Sequence, residues 1–299
     1  MHAELIFDAR NEAGASPIWS VVEQALYWVD IPERRLHRWS AVDSALDSWQ
    51  AEEMLGGIAR CAARGNGWIA GLQSGVFELR PVAHGKLATT RLAAVEHTAG
   101  HMRFNEGRCD RQGRFWASTM HLDTANAHRV GALYRYSVDI HGARLVPYLQ
   151  GFIVPNGLAF SPDGRTMYLS DSHPIVRSIW TFDYDIDAGI PHNRRLLVDL
   201  SHHSGCPDGA AVDEDGCYWS CGHGAGVVYR FTPDGRLDRT LELPVKNVTM
   251  CAFGGANLDT LFVTSARALE KDLHDQPLAG GLFAVYPGVK GLEEPAFQG

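Results

Sequence analysis

What most constrains this chain is a unit that recurs every 40 to 52 residues along its 299. Each copy has a short polar start, an apolar strand, a tight turn, an aromatic strand, and a third strand that ends near another aromatic. The unit is clearest from Asn156-Gly157 through Asp163-Gly164 to Tyr168. It returns from Asp208-Gly209 to Trp219 and from Asn105-Glu106-Gly107 to Trp116. Weaker copies begin near Pro17, Gly57 and Thr249, so that the six starts lie 40, 48, 51, 52 and 41 residues apart. A repeat of this size is one that cannot bury its apolar face alone and must stack on its neighbours. Six copies fill the chain. They predict one domain over residues 1–299, an all-β six-bladed β-propeller, in preference to two ordinary domains.

The local pattern agrees. Runs such as Ala25-Leu26-Tyr27-Trp28-Val29 and Thr166-Met167-Tyr168-Leu169-Ser170 are aromatic or β-branched and bounded by Gly, Asp and Pro, as strands are. The one candidate helical turn lies between Ala268 and His274. The Asp-Gly pairs at Asp163, Asp215 and Asp234 read as hairpin turns, which need positive φ, and not as catalytic acids. The eight tryptophans read as blade packing.

A formal net charge of -8 with no basic tract argues against binding to nucleic acid or an anionic membrane. No apolar stretch approaches the roughly 20 residues of a membrane helix. The start, Met1-His2-Ala3-Glu4-Leu5, lacks the pattern of a signal peptide, which points to a cytoplasmic protein. The six cysteines form no CxxC pair, so free, mostly buried thiols are expected in place of a zinc ribbon or redox motif.

In a propeller the innermost strands begin at the mouth of a central channel, so polar residues at blade starts meet although they are far apart in sequence. Three well-defined units begin with Asn105, Asn156 and Asp208. Amide and carboxylate oxygens gathered on one axis suit a hard divalent cation: Ca²⁺, Mg²⁺, Mn²⁺ or Zn²⁺. Read singly, Asn156-Gly157 and Asp208-Gly209 are also ordinary turns. Their equivalence across units, and the proline before each, favours a site. Asp123, just past the third unit's strand, is a candidate substrate contact, although a solvated loop carboxylate is the reading preferred for it. Asp171 reads as a cap within its unit. His101, His121, His173 and His223 read as surface or loop histidines, with His101 and His121 the better candidates for the mouth. No Gly-x-Ser-x-Gly occurs, so serine-hydrolase chemistry has no support.

Arg103-Phe104-Asn105-Glu106-Gly107, Pro155-Asn156-Gly157, Pro207-Asp208-Gly209 and Thr264-Ser265-Ala266-Arg267 resemble signature segments of the SMP-30/gluconolactonase/regucalcin family. The resemblance runs from about Gly14 to the C-terminus, and is nearest to bacterial sugar (aldono) lactonases. It implies a cation held by a first-blade Glu, Asn156 and Asp208, with Arg103 and Asn105 on the substrate. One position departs from the pattern. Where the family has Gly-Glu-(Gly or Ser)-Pro, this chain reads Gly14-Ala15-Ser16-Pro17. Alanine carries no ligand atom. It fits a substituted Glu, a divergent member that uses water or another side chain, or a protein that has lost catalysis. Glu12, three residues upstream, reaches the site only if the chain reverses.

The expected activity is hydrolysis of a sugar lactone. Asp208 would be the catalytic base, or, because a metal-bound carboxylate is a poor base, the proton would pass through water; Arg103 and Asn105 would steady the developing charge. Two alternatives stay open. One is a binding module without turnover, favoured if metal is held but no lactone is consumed. The other is an aryl-ester or organophosphate hydrolase, favoured by an apolar mouth.

Overall fold

The computed structural model describes residues 2–62, 67–140, 142–267 and 275–299, and the helical turn expected at 268–274 lies outside them. It is all-β and propeller-like, built from antiparallel four-stranded meanders. After β1 (Glu4–Phe7), the first meander is β2 (Gly14–Ser20), β3 (Ala25–Asp30), β4 (Arg35–Ser40) and β5 (Leu46–Gln50). The second is β6 (Leu55–Arg60), β7 (Trp68–Leu72), β8 (Gly75–Val82) and β9 (Lys86–Ala94). The third is β10 (Met102–Cys109), β11 (Phe115–His121), β12 (Gly131–Asp139) and β13 (Gly142–Phe152). The fourth is β14 (Pro155–Phe160), β15 (Thr166–Asp171), β16 (Ser178–Asp185) and β17 (Ile190–Asp199). The fifth is β18 (Cys206–Val212), β19 (Tyr218–His223), β20 (Val227–Phe231) and β21 (Leu237–Glu242). The last is β22 (Val248–Gly254), β23 (Thr260–Ser265) and β24 (Leu282–Val285), with β1 as its fourth strand.

Counted by hydrogen bonding these make five sheets, not six: four of four strands and one of eight. The eight-stranded sheet arises because one parallel bridge, Gln50 to Lys86, ties the outer strands β5 and β9 together. The starts inferred from the repeat fall in the innermost strands β2, β6, β10, β14, β18 and β22.

Apolar clusters lie between successive meanders, because each sheet is buried on both faces. Trp68 and Leu79 pack against Tyr27 and Leu36, and Phe115 and Tyr134 against Ile69. Further round, Met167 and Phe182 pack against Trp116, Tyr218 and Phe231 against Tyr168, and Phe253 and Phe283 against Trp219. A final cluster returns from Phe262 and Leu282 to Trp19, Trp28 and Trp39, which closes the ring. All eight tryptophans belong to these clusters, six buried and two, Trp49 and Trp180, partly so. Burial of a large apolar side chain contributes about 1.5–3 kcal/mol, so the ring is held mainly by contacts between units.

Two terminal segments complete the closure. Pairing of β1 with β24 joins the first residues of the chain to its last strand, Glu4 facing Ala284. The C-terminal tail crosses the far ends of the innermost strands. Phe297 bridges to Cys61, Gly291 to Asp213, and Glu294 pairs with Arg108 at 3.1 Å. The cysteines are free as expected, with Cys206 only partly buried. Asp163 and Asp234 bond within their own turns, and Asp215 pairs with Arg230. Among the described residues no helix is long and apolar enough to cross a membrane.

One buried histidine makes this packing sensitive to acid. His37 on β4 stacks on Trp28 with ring centroids 5.1 Å apart, and its Nδ1 lies 2.7 Å from Ser48 Oγ. Burial, aided by the nearby charge of Arg35, pushes its pKa from 6.5 to about 4. The folded chain therefore binds fewer protons than the unfolded chain between those values, and stability falls as pH drops through that window. His37→Gln should make the unfolding midpoint less pH-dependent between about pH 6.5 and 4, by roughly 2–3 kcal/mol across the interval. Urea titrations at several pH values measure it; an unchanged pH slope would contradict it.

Candidate active site

The first residues of the innermost strands line a cavity of about 540 Å³, a size ordinary for small-molecule sites. Ala15 comes from β2, Arg103, Asn105 and Glu106 from β10, Asn156 from β14, Asp208 from β18, and Thr249 and Met250 from β22. These side chains converge because all six innermost strands slip register against their second strands. The slips fall between Ala15 and Ile18, Leu55 and Gly57, Phe104 and Glu106, Asn156 and Ala159, Pro207 and Ala210, and Val248 and Met250. A bulge bends the strand and re-aims side chains that strict alternation would send to opposite faces.

Two glycines make the bulges possible beside the cavity. Gly157 has φ +64, and Tyr218 donates its hydroxyl to Gly157 O at 2.7 Å. Gly209 sits so close to β22 that a Cβ there would lie 2.3 Å from Met250 Cγ and 3.0 Å from its Cα. The approach to two of the innermost strands, β14 and β2, is pinned by an aspartate at the end of the second strand. Asp171 accepts from Ile153 N at 2.8 Å, Val154 N at 3.1 Å and His173 N at 3.0 Å. Asp30 does the same for Glu12 N at 2.9 Å and Ala13 N at 3.1 Å. Asp171 is thus the structural cap that its sequence context implies.

Asn156 and Asp208 meet at the junction of the fourth and fifth meanders. Asn156 donates from Nδ2 to Asp208 Oδ1 at 2.5 Å and to Ser172 Oγ at 3.0 Å. Ser172 is held in turn by donating to Pro207 O at 2.5 Å. His223 Nδ1 lies 3.4 Å from Asp208 Oδ2. Burial pushes the Asp208 carboxyl up to about 7, while the Gly209 N–H and the charge of Arg103 pull it back. Burial in turn lowers the Arg103 guanidinium to about 10, against the attraction of Asp208. The two charges therefore share one desolvated space.

Arg103 donates to Asn105 Oδ1 at 2.9 Å and to Phe104 O at 2.8 Å. Asn105 donates onward to Pro155 O at 3.1 Å. Asn105 thus braces Arg103 against the strand that carries Asn156. Glu106 is 2% exposed; its Oε2 accepts from Leu158 N at 3.0 Å and its Oε1 is buried without a hydrogen-bond partner. Burial pushes its carboxyl up to about 7, opposed by the charge of Arg108 and by the Leu158 bond.

Arg103, Asn105, Asn156 and Asp208 are brought together as the sequence implied, and Ala15 shares the same lining. Asp123 is not among them. It lies outside the lining, exposed, with Oδ2 accepting from Asn126 Nδ2 at 2.5 Å, so its own loop takes up the carboxylate. The histidines also exchange places. His173 and His223 line the cavity, whereas His101 and His121 do not. No local pattern singles out Glu106 or Ser172, and Glu12 reaches the lining after all because Asp30 holds its backbone. Apolar lining is substantial, with Ile31, Met120, Leu122, Val154 and Pro174 beside the polar groups. Loops 121–130 and 171–178 both contribute, joined where His173 Nε2 meets Thr124 O at 3.0 Å. Among the described residues no three His, Cys, Asp or Glu side chains cluster as metal ligands.

A ring of antiparallel meanders, with a cavity of mixed polar and apolar lining at the starts of its inner strands, defines a propeller-like protein with one candidate small-molecule site. The SMP-30/Gluconolactonase/LRE-like region model matches residues 13–267, and the chain belongs to that family. It is 42% identical to 6-deoxy-6-sulfogluconolactonase of Pseudomonas putida over 289 residues, covering 96% of this chain and 95% of that protein. It is 33% identical to regucalcin of Homo sapiens over 304 residues, covering 99% and 98%. The calcium-binding protein regucalcin of Agrobacterium tumefaciens superposes with a TM-score of 0.90 at 26% identity, covering 99% of this chain and 97% of that one. A luciferin-regenerating enzyme superposes at 0.91 with 26% identity, over 99% of both.

The contact of Gly209 with Met250 sets a stability test. Gly209→Ala forces β18 from β22 and should cost about 1–3 kcal/mol, read as a lower urea midpoint at an unchanged m-value. A wild-type midpoint would show that the two strands are not packed this closely.

Proposed function

We propose that this chain hydrolyses a sugar (aldono) lactone to its aldonic acid with the help of one divalent cation, on a single domain of six blades. In this reading the eight-stranded sheet is two neighbouring blades, β2–β5 and β6–β9, sharing one bridge. The observation that carries the proposal is the meeting of Asn156 and Asp208, 2.5 Å apart across two meanders, inside a cavity that also receives Arg103. The names of the lactonase and regucalcin relatives add support for the substrate class and for a cation.

The donor set fits such a cation. Asn156 commits its amide nitrogen to Ser172 and Asp208, which leaves its carbonyl oxygen for a ligand, and Asp208 supplies a carboxylate. Both are hard donors suited to Ca²⁺, Mg²⁺, Mn²⁺ or Zn²⁺. A divalent ion held there supplies Lewis acidity to an ester carbonyl and lowers the pKa of water by several units. Asp208 accepts the proton of the attacking water, with His223 at 3.4 Å to orient the carboxylate. Arg103, braced by Asn105, faces the oxygen on which charge develops as the ring carbonyl becomes tetrahedral. The cavity walls from Thr124 and His173 hold the rest of the sugar.

Two observations favour other readings. The apolar side chains of Ile31, Met120, Leu122 and Val154 suit an aryl ester or organophosphate, and Ala15 at the expected Glu position suits a binding module without turnover.

Proton release from a panel of sugar lactones and an aryl ester, with each of the four metals, separates these readings. Metal-dependent lactone turnover should appear, and Asp208→Ala should lower it about 100-fold or more. Aryl-ester turnover without lactone turnover would replace the substrate class. Turnover confined to an Ala15→Glu variant would make the native chain a binding module.

A further inference from the structure

Glu106 is buried at 2% exposure on the cavity wall, yet one of its carboxylate oxygens, Oε1, has no hydrogen-bond partner. A buried carboxylate with an idle oxygen is costly unless something positive meets it. The charge of Arg108 acts on it, but no ion pair or hydrogen bond joins the two. Arg108 is engaged with Ala210 O at 2.9 Å and with Glu294 at 3.1 Å. The other oxygen of Glu106 is tied to Leu158 N, two residues beyond Asn156 on β14, so its carboxylate is anchored beside the strand that carries the proposed amide ligand.

We propose that Glu106 supplies the second carboxylate of the cation site, the charge that a Glu at position 15 would bring and Ala15 does not. Asn156 is neutral and Asp208 carries one negative charge. Glu106 raises the total to two, matching a divalent ion without any acid from the first meander. The bulge between Phe104 and Glu106 allows it, because it lets Asn105 and Glu106 both reach the cavity from one strand. Glu12 is the competing acid in the lining, but it is only half-buried and its carboxylate has access to water. The proposal rests on the cation reading above, and its test keeps the two apart.

The test is calorimetric titration of Mn²⁺ into the metal-free full-length chain, its Glu106→Gln and Glu12→Gln variants, and the double variant Glu106→Gln/Ala15→Glu, with thermal melts to confirm folding. Glutamine keeps the shape of Glu106 and an acceptor for Leu158 N while removing the charge. Mn²⁺ affinity should fall about tenfold or more in Glu106→Gln, hold in Glu12→Gln, and recover in the double variant. A folded Glu106→Gln that binds like wild type, or a loss confined to Glu12→Gln, overturns the proposal while leaving the cation reading intact. Absence of Mn²⁺ binding by the wild type overturns both. If Glu106→Gln does not fold, Glu106→Asp serves. It keeps the charge but withdraws it by one methylene, and it should also weaken Mn²⁺, whereas wild-type affinity overturns the proposal.

Discussion

The register slip at the start of every innermost strand governs what this protein can place in its cavity. A regular strand points alternate residues to opposite faces, and in a sheet buried on both sides both faces belong to the core. The slips at Ala15, Phe104, Asn156 and Pro207 release the first residues of four strands from that rule and turn them to the cavity. They depend on backbone that only certain residues tolerate. Gly157 takes a left-handed φ, and Gly209 leaves no room for a side chain next to Met250. Behind the slips, Asp30 and Asp171 hold the incoming chain, and the tryptophan-rich contacts between units hold the strands at fixed distances. Polar chemistry is thus carried on a frame packed through apolar clusters between its units.

Confinement gives the polar groups their character. Asp208 and Arg103 lie in one desolvated space, and burial moves each toward its neutral form. Ile31, Met120 and Val154 line part of the same cavity, and an apolar wall of this kind strengthens the field of charges beside it. Ala15 stands on the first strand where the family resemblance implies an acid. Glu106, one residue past Asn105, is the buried acid positioned to compensate.

Much of this was legible in the sequence, for identifiable reasons. The spacing of Asn105, Asn156 and Asp208 located the innermost strands, because each begins a copy of the same unit. The Asp-Gly turns and the tryptophans behaved as local chemistry requires. What escaped was set by long-range contacts. The single Gln50–Lys86 bridge, which merges two meanders, has no local signal. Glu106 was hidden by alternation, which places it opposite Asn105 until the bulge intervenes. Asp123 looked available until Asn126 claimed it, and the asparagine three residues on was the clue. Glu12 seemed to need a chain reversal, yet Asp30 draws its backbone in. His173 and His223 line the cavity because the loop after β15 and the end of β19 fold over it, a placement that residue type alone does not encode.

The central claim is that Asn156 and Asp208 together hold a divalent cation in this cavity. A crystal grown with Mn²⁺ and measured near the manganese absorption edge tests it most directly. The account predicts an anomalous peak roughly 2.0–2.6 Å from Asn156 Oδ1 and a carboxylate oxygen of Asp208. A cavity without such a peak at saturating Mn²⁺, or a peak held by other residues, would contradict it.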